Sequence, residues 1–170
     1  IFIKEKNKYL LMLFDCLFDG KKDMRIETDL KKRLAVIPKI LNKINNNKFY
    51  NYKGYSGNFN LKNINKYYLG EITEFYKSLN NELDNSKKNI LLFPKLFIHP
   101  FGAENSEAFS YGHLIWNSCT ENQEISCPYS LDGLIYTGVS QKYTNDKREQ
   151  KFPMYKYKPP ENNSIDVYVR

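Results

Sequence analysis

Alanine and arginine are scarce in this 170-residue chain, with three Ala and four Arg against 22 Lys and 20 Asn. Lys and Asn codons are A-rich, whereas Ala and most Arg codons are GC-rich. The imbalance is the imprint of an AT-rich genome, so a single lysine carries little functional weight unless its placement singles it out. Cysteine is sparse too: Cys16, Cys119 and Cys127. The number is odd, no C-x-x-C occurs, and Cys16 lies in an apolar run where a buried thiol is the usual case. A disulfide framework is therefore not expected, and a reducing compartment fits best. With only His99 and His113 to join scattered cysteines, the spacing gives no support to a zinc site. No apolar run approaches the ~20 residues that span a bilayer, and mean hydropathy is −0.64, so no membrane partner is expected. The opening IFIKEKNKYLLMLFDCLF lacks the charged start, long apolar stretch and cleavage site of a secretory signal. It also lacks an initiator Met, and the expectation is an internal piece of a longer protein that is not secreted.

What is present argues for a packed fold. Apolar residues make up 41% and aromatics 15%, too much for a solvated disordered chain. The length suits one domain or part of a larger one. Net charge is +7 and the isoelectric point about 9.1, which favours anionic partners such as nucleotides or RNA. The competing reading is lysines that are merely dispersed and solubilising.

KYLLMLFDCLF (8–18) reads as a strand ending at the Asp19-Gly20 turn. Thr28 and Asp29 can cap a helix carrying Leu30, Leu34, Ile37 and Leu41, which Pro38 should kink or divide. Residues 44–62 are rich in Asn, Gly and Tyr and read as a loop or weak hairpin. Ile64, Tyr68, Ile72, Phe75 and Leu79 mark an amphipathic helix. NILLFPKLFIH (89–99) reads as a strand with Pro94 at a bulge or edge. Residues 106–119 read as a helix with Phe109, His113, Ile115 and Trp116 as its apolar members. Three strands follow, at 129–139, 152–159 and 164–170, with the basic stretch 140–150 as a solvated link between the first two. Strands at both ends and helices between them predict an α+β fold of mostly antiparallel sheets with flanking helices, not regular βαβ winding.

Three segments carry chemistry. In YKYKPPENNSID (155–166), Lys156 and Lys158 lie two apart on a strand, so both ammonium groups project to one face. Tyr155 and Tyr157 then turn the other way, towards packing. Adjacent lysines repel unless an anion lies between them, and a phosphate chain is the natural counter-ion. The alternative is a solvated strand face. In LDGLIYT (131–137), Asp132 could hold a divalent metal or orient a phosphate, and Gly133 allows a close backbone approach. A common Asp-Gly turn is the alternative. In FDCLFDG (14–20), an exposed Phe14 could stack on a purine, or serve as a core residue beside a turn-capping Asp15.

Taken in this order, the segments resemble the covalent nucleotidyltransferase superfamily: mRNA capping guanylyltransferases and polynucleotide ligases. YLLMLFDCLFDGKKDMRIETDLKKRL, with Arg33 on its helix, resembles motif IIIa. LDGLIYT resembles motif IV, and YKYKP with the following SID resembles motif V. Asp132, where ligases usually carry Glu, points to capping enzymes. KYKPPENNSIDVYV is most similar to those of large DNA viruses.

The resemblance implies part of a nucleotidyltransferase (ligase adenylation-type) domain over 1–163, with an OB-fold starting at 164–170. It implies a lysyl-GMP mechanism acting on GTP and the diphosphate 5′ end of RNA, with Mg²⁺ or Mn²⁺. It assigns Lys156 and Lys158 to the phosphates and Asp132 to the metal or the catalytic amine. Phe14, Lys95 and Gly133 fall to nucleotide binding. Fused triphosphatase and methyltransferase domains, and a cytoplasmic viral factory or virion, are further implications. The superfamily's K-x-D-G nucleophile motif does not occur in the chain. An ATP-dependent ligase and a non-catalytic RNA-end-binding module are the alternative functions.

Overall fold

The computed structural model describes residues 1–45, 64–100, 102 and 105–159. The expected loop at 46–62 and the strand and OB-fold start at 164–170 lie outside the described residues.

The chain opens with β1 (Phe2–Ile3), a tight turn through Lys4–Lys6, and β2 (Lys8–Leu13). Asn7 closes the turn at φ +48°, a left-handed conformation that Asn tolerates better than most residues. β1 and β2 pair antiparallel, with Phe2 opposite Tyr9. β3 (Ile90–Pro94) lies on the other side of β2 and runs parallel to it, from Tyr9 opposite Ile90 to Leu13 opposite Pro94. Among the described residues the longest ladder is thus parallel, where mostly antiparallel sheets were expected. The reason is the length of the connection, which carries α-helices and returns the chain in the same direction. Pro94 ends the strand, as a residue without an N–H should.

The helix expected from Leu30 to Leu41 is divided into α1 (Leu30–Leu34) and α2 (Val36–Asn45). The break falls at Ala35, just after Leu34, which lies four residues before Pro38. Its ring cannot accommodate the carbonyl of residue i−4, here Leu34, and it has no N–H to bond there. Asp29 caps α1 by accepting the Lys31 N–H at 2.9 Å.

α3 (Ile64–Asn85) follows its sequence pattern closely. Tyr68, Ile72, Phe75, Leu79 and Leu83 are buried at helical spacing. This face covers the inner side of the sheet, where Leu10, Leu91 and Phe93 are buried. Phe75 meets Phe93 edge-on at 5.5 Å. The opposite sheet face leaves Phe2, Tyr9, Leu11 and Ile90 exposed. Lys8 fixes the strand to the end of α3 by donating to the Leu83 and Ser86 carbonyls, where the helix has unpaired acceptors and a negative dipole end.

α4 (Glu107–Trp116) docks on α3 through Tyr68 and Tyr111, whose rings lie 4.1 Å apart. The Tyr68 hydroxyl donates to the buried Glu107 carboxylate at 3.1 Å. Of its expected apolar members, Trp116 is buried, Ile115 is half-buried, and Phe109 and His113 are exposed. Phe109 instead stacks on Tyr136, with centroids 4.9 Å apart.

The last elements form an antiparallel pair, β4 (Leu134–Tyr136) and β5 (Tyr155–Tyr157). Both are shorter than the sequence pattern suggested. No helix among the described residues is long and apolar enough to cross a membrane.

Candidate functional site

β2 ends at Leu13, and the next two residues diverge in role. Phe14 is 58% exposed. Asp15 turns inward, accepting the Cys16 N–H at 2.8 Å and two guanidinium bonds from Arg33, at 2.9 and 3.2 Å. Arg33 is only 3% exposed. Its Nη1 donates to both the Glu27 and Gln141 carbonyls, the latter at 2.8 Å. Sequence reasoning missed this latch, although one signal was available. Arg33 lies three residues after Leu30 and four before Ile37, on the buried side of the helical pattern.

Gln141 belongs to the stretch expected to be a solvated link. The structure corrects that reading. Leu30 donates to the Val139 carbonyl at 2.9 Å and Tyr143 to the Arg25 carbonyl at 3.0 Å. An isolated bridge joins Asp29 and Ser140. The segment after β4 is thereby sewn onto the turn and helix after β2, and two of the three sequence segments are held in one unit.

The third joins through the β4–β5 pair. Lys158 donates to the Asp132 carboxylate at 3.0 Å. The Asp132 side chain is 82% exposed, so the pair contributes little to stability, on the order of 0–1 kcal/mol. Both groups stay available to other charges. Gly133 permits the pairing. Its φ is +147°, and a Cβ there would stand 2.2 Å from the Tyr157 carbonyl oxygen. The close approach that Gly133 allows is therefore to β5 itself. Lys156, opposite Ile135, is exposed, and it has no ion-pair partner among the described residues.

Tyr157 meets Trp116 edge-on at 6.3 Å, and Tyr136 covers Gly112 of α4. The tyrosine side of the ribbon therefore faces α4, as expected. Tyr155, however, is 62% exposed, against the expectation that it packs.

Lys95 is exposed. Its N–H donates to the Leu13 carbonyl at 2.7 Å, which carries the parallel ladder one step beyond Pro94. Phe14 and Lys95 thus emerge side by side at the ends of β2 and β3. The structure brings the candidate residues together in two groups: Phe14 with Lys95, and Asp132 with Lys158.

A shallow depression of about 460 Å³ contains none of them. Its cations are already neutralised, Arg25 by Asp23 and Lys142 by Glu149. The Asp23 carboxyl is held at about 2 by hydrogen bonds from the Arg25 side chain and N–H. Among the described residues no group of three His, Cys, Asp or Glu could hold a metal ion. Asp132 offers one carboxylate, which fits Mg²⁺ only if nucleotide phosphates supply further ligands. Burial pushes the Cys16, Cys119 and Cys127 thiols up, Cys119 to about 12. None of the three is an activated nucleophile.

The described residues thus show a strand leading into Phe14-Asp15, a helix whose Arg33 grips that Asp, and a ribbon pairing Asp132 with Lys158. Over 177 aligned residues, covering 99% of this chain, the sequence is 34% identical to a probable mRNA-capping enzyme of Acanthamoeba polyphaga mimivirus. The chain is thus a relative, along nearly its whole length, of one segment of a viral mRNA-capping enzyme, and it spans 15% of that protein's length. No protein-family profile matches the chain, and no solved structure does.

Proposed function

We propose that the chain is part of an mRNA guanylyltransferase, contributing the nucleotide-phosphate and base contacts of a module that moves GMP from GTP to the 5′-diphosphate end of RNA. The observation that carries this reading is the Asp132–Lys158 contact, which joins the two segments resembling motifs IV and V. The likeness to a viral capping enzyme supports it over a ligase.

In such a reaction a lysine amine attacks the α-phosphate of GTP and pyrophosphate leaves. The RNA diphosphate then attacks the resulting phosphoramidate. Both steps build charge on phosphate oxygens, which preorganised cations stabilise. Lys158, released from Asp132, binds one phosphate oxygen. Lys156, two residues away and ~7 Å along the strand, binds another. Asp132 orients the attacking amine or supplies one carboxylate oxygen to Mg²⁺. Phe14 offers a ring face to guanine and Lys95 a donor to its acceptor edge. A divalent ion, when bound, neutralises phosphate charge.

The test uses the longer protein containing this chain, incubated with GTP or ATP labelled at the α-phosphate. Label transferred from GTP is the expected result. Label from ATP alone overturns the capping reading in favour of a ligase. Lys156→Ala or Lys158→Ala is expected to slow adduct formation ~10²–10³-fold with little change in folding. Lys142→Ala, whose ammonium pairs with Glu149, is expected to leave it unchanged.

A further inference from the structure

Residues 151–158, KFPMYKYK, contain three Lys and no Asp or Glu. Residues 151–157 are all exposed. Three of them are aromatic and a fourth is Met154, so the segment places apolar rings and ammonium groups alternately in water. A purely solvated strand has no need of those rings, and a protein core has no place for those lysines.

The rings are arranged, not scattered. Tyr155 lies opposite Tyr136 in the ladder, and Tyr136 stacks on Phe109 of α4. Phe109 and Tyr155, the two most exposed rings of this group at 61% and 62%, therefore flank a half-buried third. Phe152 extends the aromatic run, anchored over Gly138 and by its N–H to the Gln141 side chain at 2.6 Å. Lys151 lies 5.3 Å from the Phe152 ring centroid.

We propose that this strip, running from Phe109 across Tyr136 and Tyr155 to Phe152 and Lys151, docks single-stranded RNA. Unpaired bases stack on the exposed rings, and Lys151 meets the backbone phosphates. Rings spaced along a basic segment are the features by which single strands are held without regard to sequence. A duplex hides its base faces and gains only the charge term. An acidic protein would use the lysines but leave Tyr155 and Phe109 idle. The choice of RNA rests on the capping reading, because the strip adjoins Lys158 and Asp132, where the 5′ end would react.

The experiment measures binding of a fluorescent ten-nucleotide RNA to the full chain by anisotropy, across a salt series and without GTP. Tyr155→Ala and Phe109→Ala should each weaken binding roughly 5- to 100-fold, while Tyr155→Phe, which keeps the ring, stays near wild type. Lys151→Ala should lower the log–log salt slope by about 0.7. Circular dichroism and melting of each variant separate lost binding from lost folding. Affinity unchanged in Tyr155→Ala, or a ten-base-pair duplex bound as tightly as the single strand, overturns the strip. Failure of GMP labelling in the longer protein, with RNA binding and its Tyr155 dependence intact, removes the capping reading and leaves the strip standing. Labelling with no Tyr155 dependence does the reverse.

Discussion

Arg33 is the side chain on which the first part of the site depends. It gives two bonds to Asp15 and one to each of two carbonyls, reaching 108 residues along the sequence to Gln141. A guanidinium suits this because its planar fork serves several acceptors at once, which one ammonium cannot. Removing it leaves the Asp15 carboxylate with a single neutral donor in a mostly buried setting. Arg33→Ala should therefore cost about 3–5 kcal/mol in urea unfolding, the usual penalty for breaking a buried pair. Arg33→Lys should recover only part of it. Arg33→Ala unfolding at the wild-type midpoint would show the latch to be idle. Asp19, by contrast, serves its own turn. Its carboxylate accepts the Lys22 and Lys21 N–H groups at 2.8 Å, which hold its pKa below the ordinary carboxylate value.

At the scale of elements, the β4–β5 ribbon depends on one glycine. Any side chain at position 133 would meet the Tyr157 carbonyl oxygen, and the backbone there adopts a φ that other residues rarely take. Gly133→Ala should separate the strands and carry Lys158 away from Asp132. The expected readout is faster hydrogen exchange at residues 134–136 and 155–157, with exchange in α3 unchanged. Equal protection in the variant and the wild type would mean that the ribbon closes without it. The same elements show what a sequence can and cannot reveal. α3 was legible because five apolar residues, Ile64, Tyr68, Ile72, Phe75 and Leu79, repeat at helical spacing. The α1–α2 break was legible because proline acts locally, through residue i−4. The partnering of β2 with β3 was not legible, since strand direction is set by the path of residues 14–89 and not by the strands' own composition. The Asp132–Lys158 contact was legible only as motifs. The Arg33–Asp15 latch was half legible: Arg33 falls on the buried side of the helical pattern, but no periodicity points to Asp15, 18 residues earlier.

For the molecule as a whole, the charge of +7 is not gathered into one basic pocket. Several cations are paired: Lys6 with Asp84, Arg25 with Asp23, Arg148 with Asp146. Lys95 and Lys156 are exposed and in no ion pair among the described residues, but so are lysines far from them, such as Lys21, Lys39 and Lys87, so charge alone does not mark a site. Under the proposed function the reacting amine comes from another stretch of polypeptide, because no K-x-D-G occurs here. The 170-residue chain on its own should accordingly form no covalent adduct with α-labelled GTP, while the longer protein forms one that acid releases and alkali does not, as a phosphoramidate should. Within that longer protein, Lys→Ala in its K-x-D-G should abolish the adduct and leave RNA binding by the β5 ribbon intact. A labelled band from the isolated chain would place the nucleophile among its own 22 lysines, and the assignment of the three motifs would have to be redrawn around that residue.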